Sequence, residues 1–300
     1  MRGFLARYLC LFPFAASLFS QTDLGLVRPA GQLVRAVVFG DFGYEGSGSG
    51  QAAVVKSILA PHGKNAYHLG LTLGDNFYPR GVRNVDDPHW KANWRVPYDG
   101  LGIKFYAALG NHDYMGNEQA QIDYTNHPDN RSWQMPARYY TFGAGPIRFF
   151  ALDTDEGTSG GLYRLFRKPW SVDQSAWLDA QLEKYSPARW KVVYGHHPIY
   201  SDGYHGDSAR LIEKLLPLLK KHKVDVYLAG HDHDMQHFER DGMHFFVVGG
   251  GGKNTRQITG KRTVFAESMH GFLEMEADDR RLSLRLVGTS GKEHPLVLTK

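Results

Sequence analysis

The sequence predicts an α/β protein with two β-sheets that carry their helices on the outside. Its 300 residues are 42% hydrophobic and 22% charged, which supplies a large core and is not the composition of a disordered chain. Strands alternate with helical segments in the first part of the chain, whereas the last part is typical of a β-meander. Two sheets fit this order better than a single doubly wound sheet does.

The predicted strands are hydrophobic runs that end at a turn signal. Five of them stop at a glycine followed by polar residues, and they cover residues 33–41, 67–75, 105–113, 191–198 and 224–233. A hairpin is predicted over residues 138–154, with its turn at Gly143–Pro146. Further strands are predicted at His244–Val248, Phe272–Met275 and Leu282–Val287.

Three segments are predicted to be helical. Gln51–Ala60 lies between the first two strands. Ser171 and Gln174 have the spacing of a capping box and indicate the start of a second helix. Ser208–His222 is amphipathic, and we expect it to bend at Pro217 because proline cannot donate the helical hydrogen bond.

The N-terminus has the layout of a secretory signal peptide. Arg2 and Arg7 precede an apolar run over residues 8–19, which is short for a membrane span and ends near small residues. We therefore predict a signal peptide over residues 1–20, a single domain over residues 21–300, and a secreted or periplasmic location. An apolar anchor that stays attached is the alternative, although we expect no stable membrane anchor.

Charge and cysteine content limit the possible partners and metal ligands. Loss of Arg2 and Arg7 with the signal peptide would lower the formal net charge from +4 to +2, which is too weak to indicate a nucleic-acid partner. Cys10, the only cysteine, also lies in this segment. The remaining chain then has no thiol, so any metal ion must be held by oxygen and nitrogen donors.

Polar clusters follow five of the predicted strands. They are Gly40-Asp41-Phe42-Gly43, Gly74-Asp75-Asn76-Phe77-Tyr78, Gly110-Asn111-His112-Asp113, Gly195-His196-His197-Pro198 and Gly230-His231-Asp232-His233. In open α/β sheets, sites form beyond the carboxyl ends of the strands, and glycine allows the chain to turn sharply there. If the strands are neighbours, the five loops converge on one place.

The combination of side chains in these clusters predicts a site for two metal ions. One Gly-Asp turn is weak evidence, but together the clusters supply carboxylate, phenol, amide and imidazole groups. The candidate ligands are Asp41, Asp75, Tyr78, Asn111, His196, His231 and His233. Carboxylate and imidazole suit iron, manganese and zinc. Seven groups exceed the need of one tetrahedral ion, whereas two ions that share a carboxylate use them all.

The motifs DFG, GDNFY, GNHD, GHHP and GHDH resemble those of the calcineurin-type metallophosphoesterases. Within that superfamily the chain is most similar to the small purple acid phosphatases of the tartrate-resistant type, from about residue 33 to the C-terminus. The resemblance implies a four-layer αββα sandwich of two mixed sheets flanked by helices, the metallophosphoesterase fold, as one catalytic domain. It also implies an exported acid phosphatase that hydrolyses phosphate monoesters with a metal-activated hydroxide.

The resemblance divides the candidate ligands between two ions. It implies Fe(III) at Asp41, Asp75, Tyr78 and His233, and a divalent iron, zinc or manganese ion at Asp75, Asn111, His196 and His231. Asp75 would bridge the two ions. Many metallophosphoesterases have Asp-x-His in the first motif, whereas this chain has Gly43 at that histidine position. Tyr78 fits the missing ligand, and a phenolate is a hard anionic donor that favours Fe(III).

Two further histidines are predicted to act on the substrate. The resemblance implies that His112 contacts the phosphate and that His205 lies near the leaving group. Small phosphate esters, including phosphoproteins or nucleotides, are the expected substrates. A phosphodiesterase or nucleotide hydrolase on the same scaffold is one alternative, and a non-catalytic phosphate-binding relative is another.

The remaining polar residues of the motifs receive structural interpretations. His197 is expected to pack beside a ligand, while Asp113 and Asp232 either orient imidazoles or are exposed carboxylates. Gly249–Gly252 lacks the following Lys-Ser/Thr pair and the helix start of a phosphate-binding loop, so we interpret it as a flexible turn. Histidines outside the motifs, such as His237, are expected to have surface or ordinary structural roles.

Overall fold

The computed structural model describes residues 22–60, 66–155 and 172–300. The predicted signal peptide, Cys10 and Ser171 of the predicted capping box lie outside the described residues. Within the described ranges, no helix has the length and apolar character needed to cross a bilayer.

The described strands form two mixed sheets. In chain order they are β1 (Thr22–Arg28), β2 (Val34–Phe39), β3 (Leu69–Leu73), β4 (Lys104–Ala108), β5 (Trp133–Gln134), β6 (Tyr140–Ala144), β7 (Ile147–Ala151), β8 (Trp190–Tyr194), β9 (Val226–Ala229), β10 (Met235–Arg240), β11 (Met243–Val248), β12 (Phe265–Glu267), β13 (Gly271–Ala277), β14 (Arg281–Gly288) and β15 (Glu293–Thr299). One sheet has the order β1-β6-β7-β8-β9-β11-β10-β12, and the other has the order β15-β14-β13-β2-β3-β4-β5. The predicted hairpin is confirmed as β6 and β7, and the last two predicted strands are confirmed as the antiparallel pair β13 and β14. Strand β15, which pairs antiparallel with β14, was not predicted.

The helices lie on the outer faces of the sheets. They are α1 (Gln51–Leu59), α2 (Val96–Tyr98), α3 (Glu118–Asp123), α4 (Val172–Lys184), α5 (Ala209–Lys214) and α6 (Leu216–Lys221), with a π-helical segment (Trp90–Arg95) before α2. The segment predicted as one bent helix is divided into α5 and α6 at Leu215. Pro217 cannot donate to the preceding turn, so the helix restarts around it.

Strand side chains alternate between two environments, which produces the four layers. In β2, Val38 faces the other sheet and joins the central core, whereas Val37 and Phe39 pack under the helices on the outer face. On the other sheet, Val192 faces the centre and Val193 packs against the outer helices. The predicted arrangement of two sheets between helical layers is confirmed.

Parallel pairing brings the ends of the motif-bearing strands together. Strands β2, β3 and β4 are parallel neighbours, with Val38 opposite Leu71 and Leu71 opposite Tyr106. Strands β8 and β9 are parallel neighbours in the other sheet, with Val192 opposite Val226. The five glycine-led loops therefore leave their sheets at carboxyl ends, where the two sheets meet.

A chain of three histidines links the two sheets near their edges. His237 on β10 lies between His294 on β15 and His244 on β11. Its Nδ1 is 2.9 Å from His294 Nε2, and its Nε2 is 3.0 Å from His244 Nδ1. Burial, followed by the charges of His244 and His294, lowers the pKa of His237 to about 3. The structural role of these residues is therefore to join β10 to β15, a strand of the other sheet.

We expect His237→Gln to reduce the loss of stability in acid. The folded-state pKa is about 3 against an ordinary value of 6.5, so the unfolded state binds more protons in this window and stability falls as pH falls through it. Glutamine preserves a donor and an acceptor but does not titrate. The free energy of unfolding, measured with urea at several pH values between 7 and 4, should fall less steeply with falling pH in the variant. The two slopes should differ by at most about 1.4 kcal/mol per pH unit. Identical slopes for variant and wild type would contradict this role of His237.

Candidate metal centre

Close backbone approach allows the five loops to converge. A Cβ on Gly110 would lie 2.2 Å from Asp75 Oδ1, and a Cβ on Gly230 would lie 2.4 Å from Asp41 Oδ2. Only glycine leaves room for the carboxylates at these two positions. Asp41, Asp75 and His231 themselves have positive φ angles of 60°, 50° and 71°. Such left-handed conformations cost free energy in non-glycine residues and cluster at functional sites.

One part of the site is centred on the phenol of Tyr78. Its Oη lies 2.9 Å from Asp75 Oδ2, 3.0 Å from Asp41 Oδ1 and 3.3 Å from His233 Nε2. His233 Nε2 is in turn 3.6 Å from Asp41 Oδ1. Four of the predicted ligands, from the loops after β2, β3 and β9, therefore direct their donor atoms to one point.

The other part of the site is centred on His196. Its Nε2 lies 3.0 Å from Asn111 Oδ1, 3.1 Å from His231 Nδ1 and 3.5 Å from Asp75 Oδ2. The same oxygen of Asp75 contacts Tyr78 in the first part of the site. The structure thus brings all seven predicted ligands together, in two groups that share Asp75.

The charges of the donor set fit bound cations. Asp41 and Asp75 are buried, and in the described part of the chain no lysine or arginine forms an ion pair with either carboxylate. Burial, followed by the nearby charge of Asp75, raises the pKa of Asp41 well above its usual value. Burial also lowers the pKa of His196 and His233 to about 3, so both rings are neutral with a lone pair to share. Adjacent carboxylates and neutral imidazoles are a donor set that metal ions complete.

Backbone carbonyls hold two of the imidazoles in orientation. His196 Nδ1 lies 2.9 Å from the carbonyl oxygen of Leu73, and His233 Nδ1 lies 3.0 Å from that of Asn254. A carbonyl can only accept, so each Nδ1 carries the proton and each Nε2 offers its lone pair to the site. Sequence reasoning missed these contacts because they involve main-chain atoms without a residue preference.

Asp113 and Asp232, the motif carboxylates for which the sequence left two roles open, have different roles. Asp113 is buried and accepts from the backbone N–H groups of Gly110 (2.8 Å) and Asn76 (3.0 Å), so it ties two ligand loops together instead of orienting an imidazole. Burial, then the charge of Asp75, raises its pKa to about 7. Asp232 does orient an imidazole, because its Oδ1 lies 2.8 Å from His205 Nδ1 and accepts from the His205 backbone N–H at 3.0 Å.

The two predicted substrate histidines lie at the accessible side of the donor cluster. His112 donates its backbone N–H to Asp75 Oδ1 at 2.8 Å, and its Nδ1 lies 2.7 Å from the carbonyl oxygen of Pro79. The ring of His205 stacks on that of His231, with centroids 4.0 Å apart. Side-chain exposures of 28% for His112 and 33% for His205 leave both rings open to a ligand.

His197 lies beside the donors, as expected for a packing residue. Its Nδ1 is 3.1 Å from Thr154 Oγ1, and its ring centroid is 4.6 Å from that of His231. Its ring also lies close enough to His196 and His231 for the three to form a possible ligand group. His197 belongs to neither the group of donors around Tyr78 nor the group around His196, and its contact with Thr154 holds its ring beside them.

The glycine run Gly249–Gly252 underlies the site and is buried. A Cβ on Gly251 would lie 2.2 Å from the carbonyl oxygen of Gly40, and a Cβ on Gly252 would lie 2.3 Å from that of Phe42. The interpretation as a flexible turn is therefore wrong: the run follows β11, but it packs against the first ligand loop. It leads into residues 253–256, which sequence reasoning did not assign to the site.

The family described as calcineurin-like phosphoesterase matches residues 34–235 of the chain. Purple acid phosphatase 7 of Arabidopsis thaliana is 34% identical to it and the match covers 72% of this chain and 69% of that protein. Tartrate-resistant acid phosphatase type 5 of Sus scrofa is 30% identical, over 74% of this chain and 72% of that protein. The matched segment contains all seven candidate ligands.

Among solved structures, GAP50, the anchor in the inner membrane complex of Plasmodium, superposes with a TM-score of 0.70. The two chains are 25% identical, and the match covers 89% of this chain and 90% of that one.

Proposed function

Because the chain belongs to the calcineurin-like phosphoesterase family and, within it, to the purple acid phosphatases, we propose that it is an exported acid phosphatase with a binuclear Fe(III)–M(II) centre. Family membership makes the chain a metal-dependent hydrolase of phosphate esters. The identity of the metals, the preference for monoesters and the export are the proposal.

The observation that carries the proposal is the position of Asp75. Its Oδ2 lies 2.9 Å from Tyr78 Oη and 3.5 Å from His196 Nε2, so one carboxylate oxygen faces both groups of donors. A shared carboxylate between two donor groups supports a pair of metal ions better than a single one. We propose that Asp41, Asp75, Tyr78 and His233 hold Fe(III), and that Asp75, Asn111, His196 and His231 hold divalent iron, zinc or manganese.

Tyr78 supports the choice of a trivalent ion. Burial, followed by the charges of Asp41 and Asp75, raises the pKa of Tyr78 well above its ordinary value. The phenolate therefore forms only when a strong positive charge at the site offsets both effects. When bound, the two cations would neutralise the phosphate oxygens and lower the pKa of water enough to supply hydroxide in acid.

Protein groups would position the ester and protonate the product. We assign His112 to the phosphate oxygens, since its ring is exposed beside Asp75. We assign His205 to the leaving oxygen, with Asp232 as the positioning residue that holds its ring. A histidine donates a proton only in its protonated form, so we expect an acidic pH optimum.

Tyr78→Phe tests the iron ligand. We expect purified wild type to show a visible tyrosinate-to-iron band and the variant to lose it, because phenylalanine lacks the phenolate oxygen. Tyr44→Phe is the matched control, since the Tyr44 ring lies 6.2 Å from that of Tyr78 but is not a proposed ligand. Visible spectra measure the band in each variant, and elemental analysis measures the iron content. A Tyr78→Phe protein that keeps its colour would exclude Tyr78 as the ligand.

His205→Ala tests the proton donor. We expect kcat/KM to fall about 100-fold for phenyl phosphate, a typical effect for one general acid, and much less for nitrophenyl phosphate, whose leaving group needs no proton. His89→Ala removes a partly exposed histidine that is outside the centre and serves as the control. Equal losses on the two esters would refute the role of His205.

Activity on monoesters and diesters tests the function itself. We expect hydrolysis of phenyl phosphate with maximal rate in acid, and slow hydrolysis of bis(nitrophenyl) phosphate. A faster diester reaction would establish the phosphodiesterase alternative, and a maximum only above pH 9 would contradict an acid phosphatase.

A non-catalytic role is the second alternative. GAP50 is described as an anchor, so a related fold serves as an anchor in that protein. The complete set of seven donor side chains favours catalysis in this chain. A metal-loaded protein that hydrolyses neither ester class would favour the non-catalytic role.

Export is supported by the sequence of residues 1–20, in which two arginines precede a short apolar run. We expect the protein to be recovered outside the cytoplasm with this segment removed. N-terminal sequencing of the recovered protein checks this, and an intact N-terminus would contradict cleavage.

A further inference from the structure

Residues 253–256 form a loop that is fixed to the candidate metal centre by its backbone. Lys253 donates its N–H to the carbonyl oxygen of Asp41 at 2.7 Å, and Arg256 donates its N–H to that of His233 at 3.0 Å. Both acceptors belong to proposed ligands. The loop also begins directly after the buried glycine run. Its two cationic side chains therefore start from defined positions beside the centre.

The guanidinium of Arg256 lies next to His205. Its Nη1 is 3.3 Å from both ring nitrogens of His205, and its Cζ is 5.2 Å from the ring centroid of Tyr204. Among residues 22–60, 66–155 and 172–300, no carboxylate forms an ion pair with Arg256. The ammonium of Lys253 instead lies over the ring of Tyr44, 3.4 Å from its centroid. Arg256 is therefore the cation beside His205, and its charge also acts on the carboxyl groups of Asp41 and Asp234 without forming an ion pair with them.

The position of Arg256 places it on the leaving-group side of the site. The ring of His205 stacks directly on the proposed ligand His231, at 4.0 Å. Arg256 contacts the ring of His205, and among the described residues its guanidinium forms no ion pair with Asp41 or Asp75, so it is suited to a group farther out than the transferred phosphoryl group. An anion bound there could accept hydrogen bonds from the guanidinium of Arg256.

We propose that Arg256 is a specificity-determining residue that binds an anionic group on the leaving portion of the substrate. The site would then prefer diphosphates, such as inorganic pyrophosphate, to monoesters with an uncharged leaving portion. In the reaction, the water oxygen forms a new bond to phosphorus while the bridging P–O bond breaks. The leaving phosphate takes the electron pair of that bond and one proton of the water, and the other proton of the water stays on the transferred phosphate. The inference rests on the proposed function.

The chemistry of arginine fits this role. A guanidinium presents two parallel N–H groups that match two phosphate oxygens, and such charge-assisted pairs are stronger than neutral hydrogen bonds. A lysine at this position would keep the charge but lose the paired geometry. Arg256→Lys and Arg256→Gln therefore separate the contribution of charge from that of geometry.

The experiment compares kcat/KM for pyrophosphate and for phenyl phosphate in each variant of the metal-loaded protein. The ratio of the two values cancels any loss of folded or metal-loaded enzyme. We expect the ratio to fall at least about tenfold in Arg256→Gln, as for the loss of a hydrogen bond to a charged group, and by less in Arg256→Lys. Lys261→Gln removes the same charge from an exposed residue of the same segment and should leave the ratio unchanged. An unchanged ratio in Arg256→Gln would overturn the inference.

A binding measurement separates this inference from the proposed catalysis. Methylenediphosphonate is a diphosphate analogue without a hydrolysable bridge, so calorimetry can compare its affinity with that of orthophosphate. We expect Arg256→Gln to lower the affinity for the diphosphonate about tenfold or more and to change the affinity for orthophosphate little. The expected loss of affinity does not depend on catalysis. If the wild type hydrolysed neither substrate, the proposed function would be rejected, but the role of Arg256 in binding would not. Equal effects on both ligands would reject the role of Arg256.

Discussion

Two carboxylates buried side by side are the constraint on which the rest of the site depends. Asp41 and Asp75 both approach the phenol of Tyr78, and the described part of the chain provides neither with a lysine or arginine partner. Such an arrangement is costly in a folded protein unless cations complete it. The surrounding imidazoles cannot supply the charge, because burial keeps His196 and His233 neutral. The fold therefore gathers anionic and lone-pair donors and leaves the positive charge to metal ions.

The two-sheet architecture explains how one short chain assembles this site. Strands β2, β3 and β4 deliver the carboxylates, the phenol and the amide from one sheet, while β8 and β9 deliver the histidines from the other. Neither sheet alone would bring Asp75 to His196. Contacts between loops then fix the junction, as when His231 donates its backbone N–H to Asp41 Oδ2 at 3.0 Å. Packing between the sheets and the geometry of the centre are thus coupled.

Much of this was predictable from the sequence, because each motif follows a hydrophobic strand and begins with glycine. The five loops, the hairpin and the seven candidate ligands were found from that signal and from the resemblance. Short strands and edge strands were harder to predict. Strand β15 contains Pro295 and is largely exposed, so its hydrophobic pattern is weak. The carbonyls that orient His196 and His233 carry no sequence signal at all. Arg256 was missed because it lies outside the motifs and reaches the site only through the packing of a neighbouring loop.

The buried glycine run beneath the centre has a consequence for how related enzymes can diverge. Since Gly251 and Gly252 touch the backbone on either side of Asp41, almost any substitution there would displace that carboxylate. The residues immediately after the run carry no such restriction, because their side chains extend from a support that stays in place. If Arg256 selects the substrate as proposed, exchange of its side chain would alter specificity while the backbone contacts of the loop with Asp41 and His233 are kept.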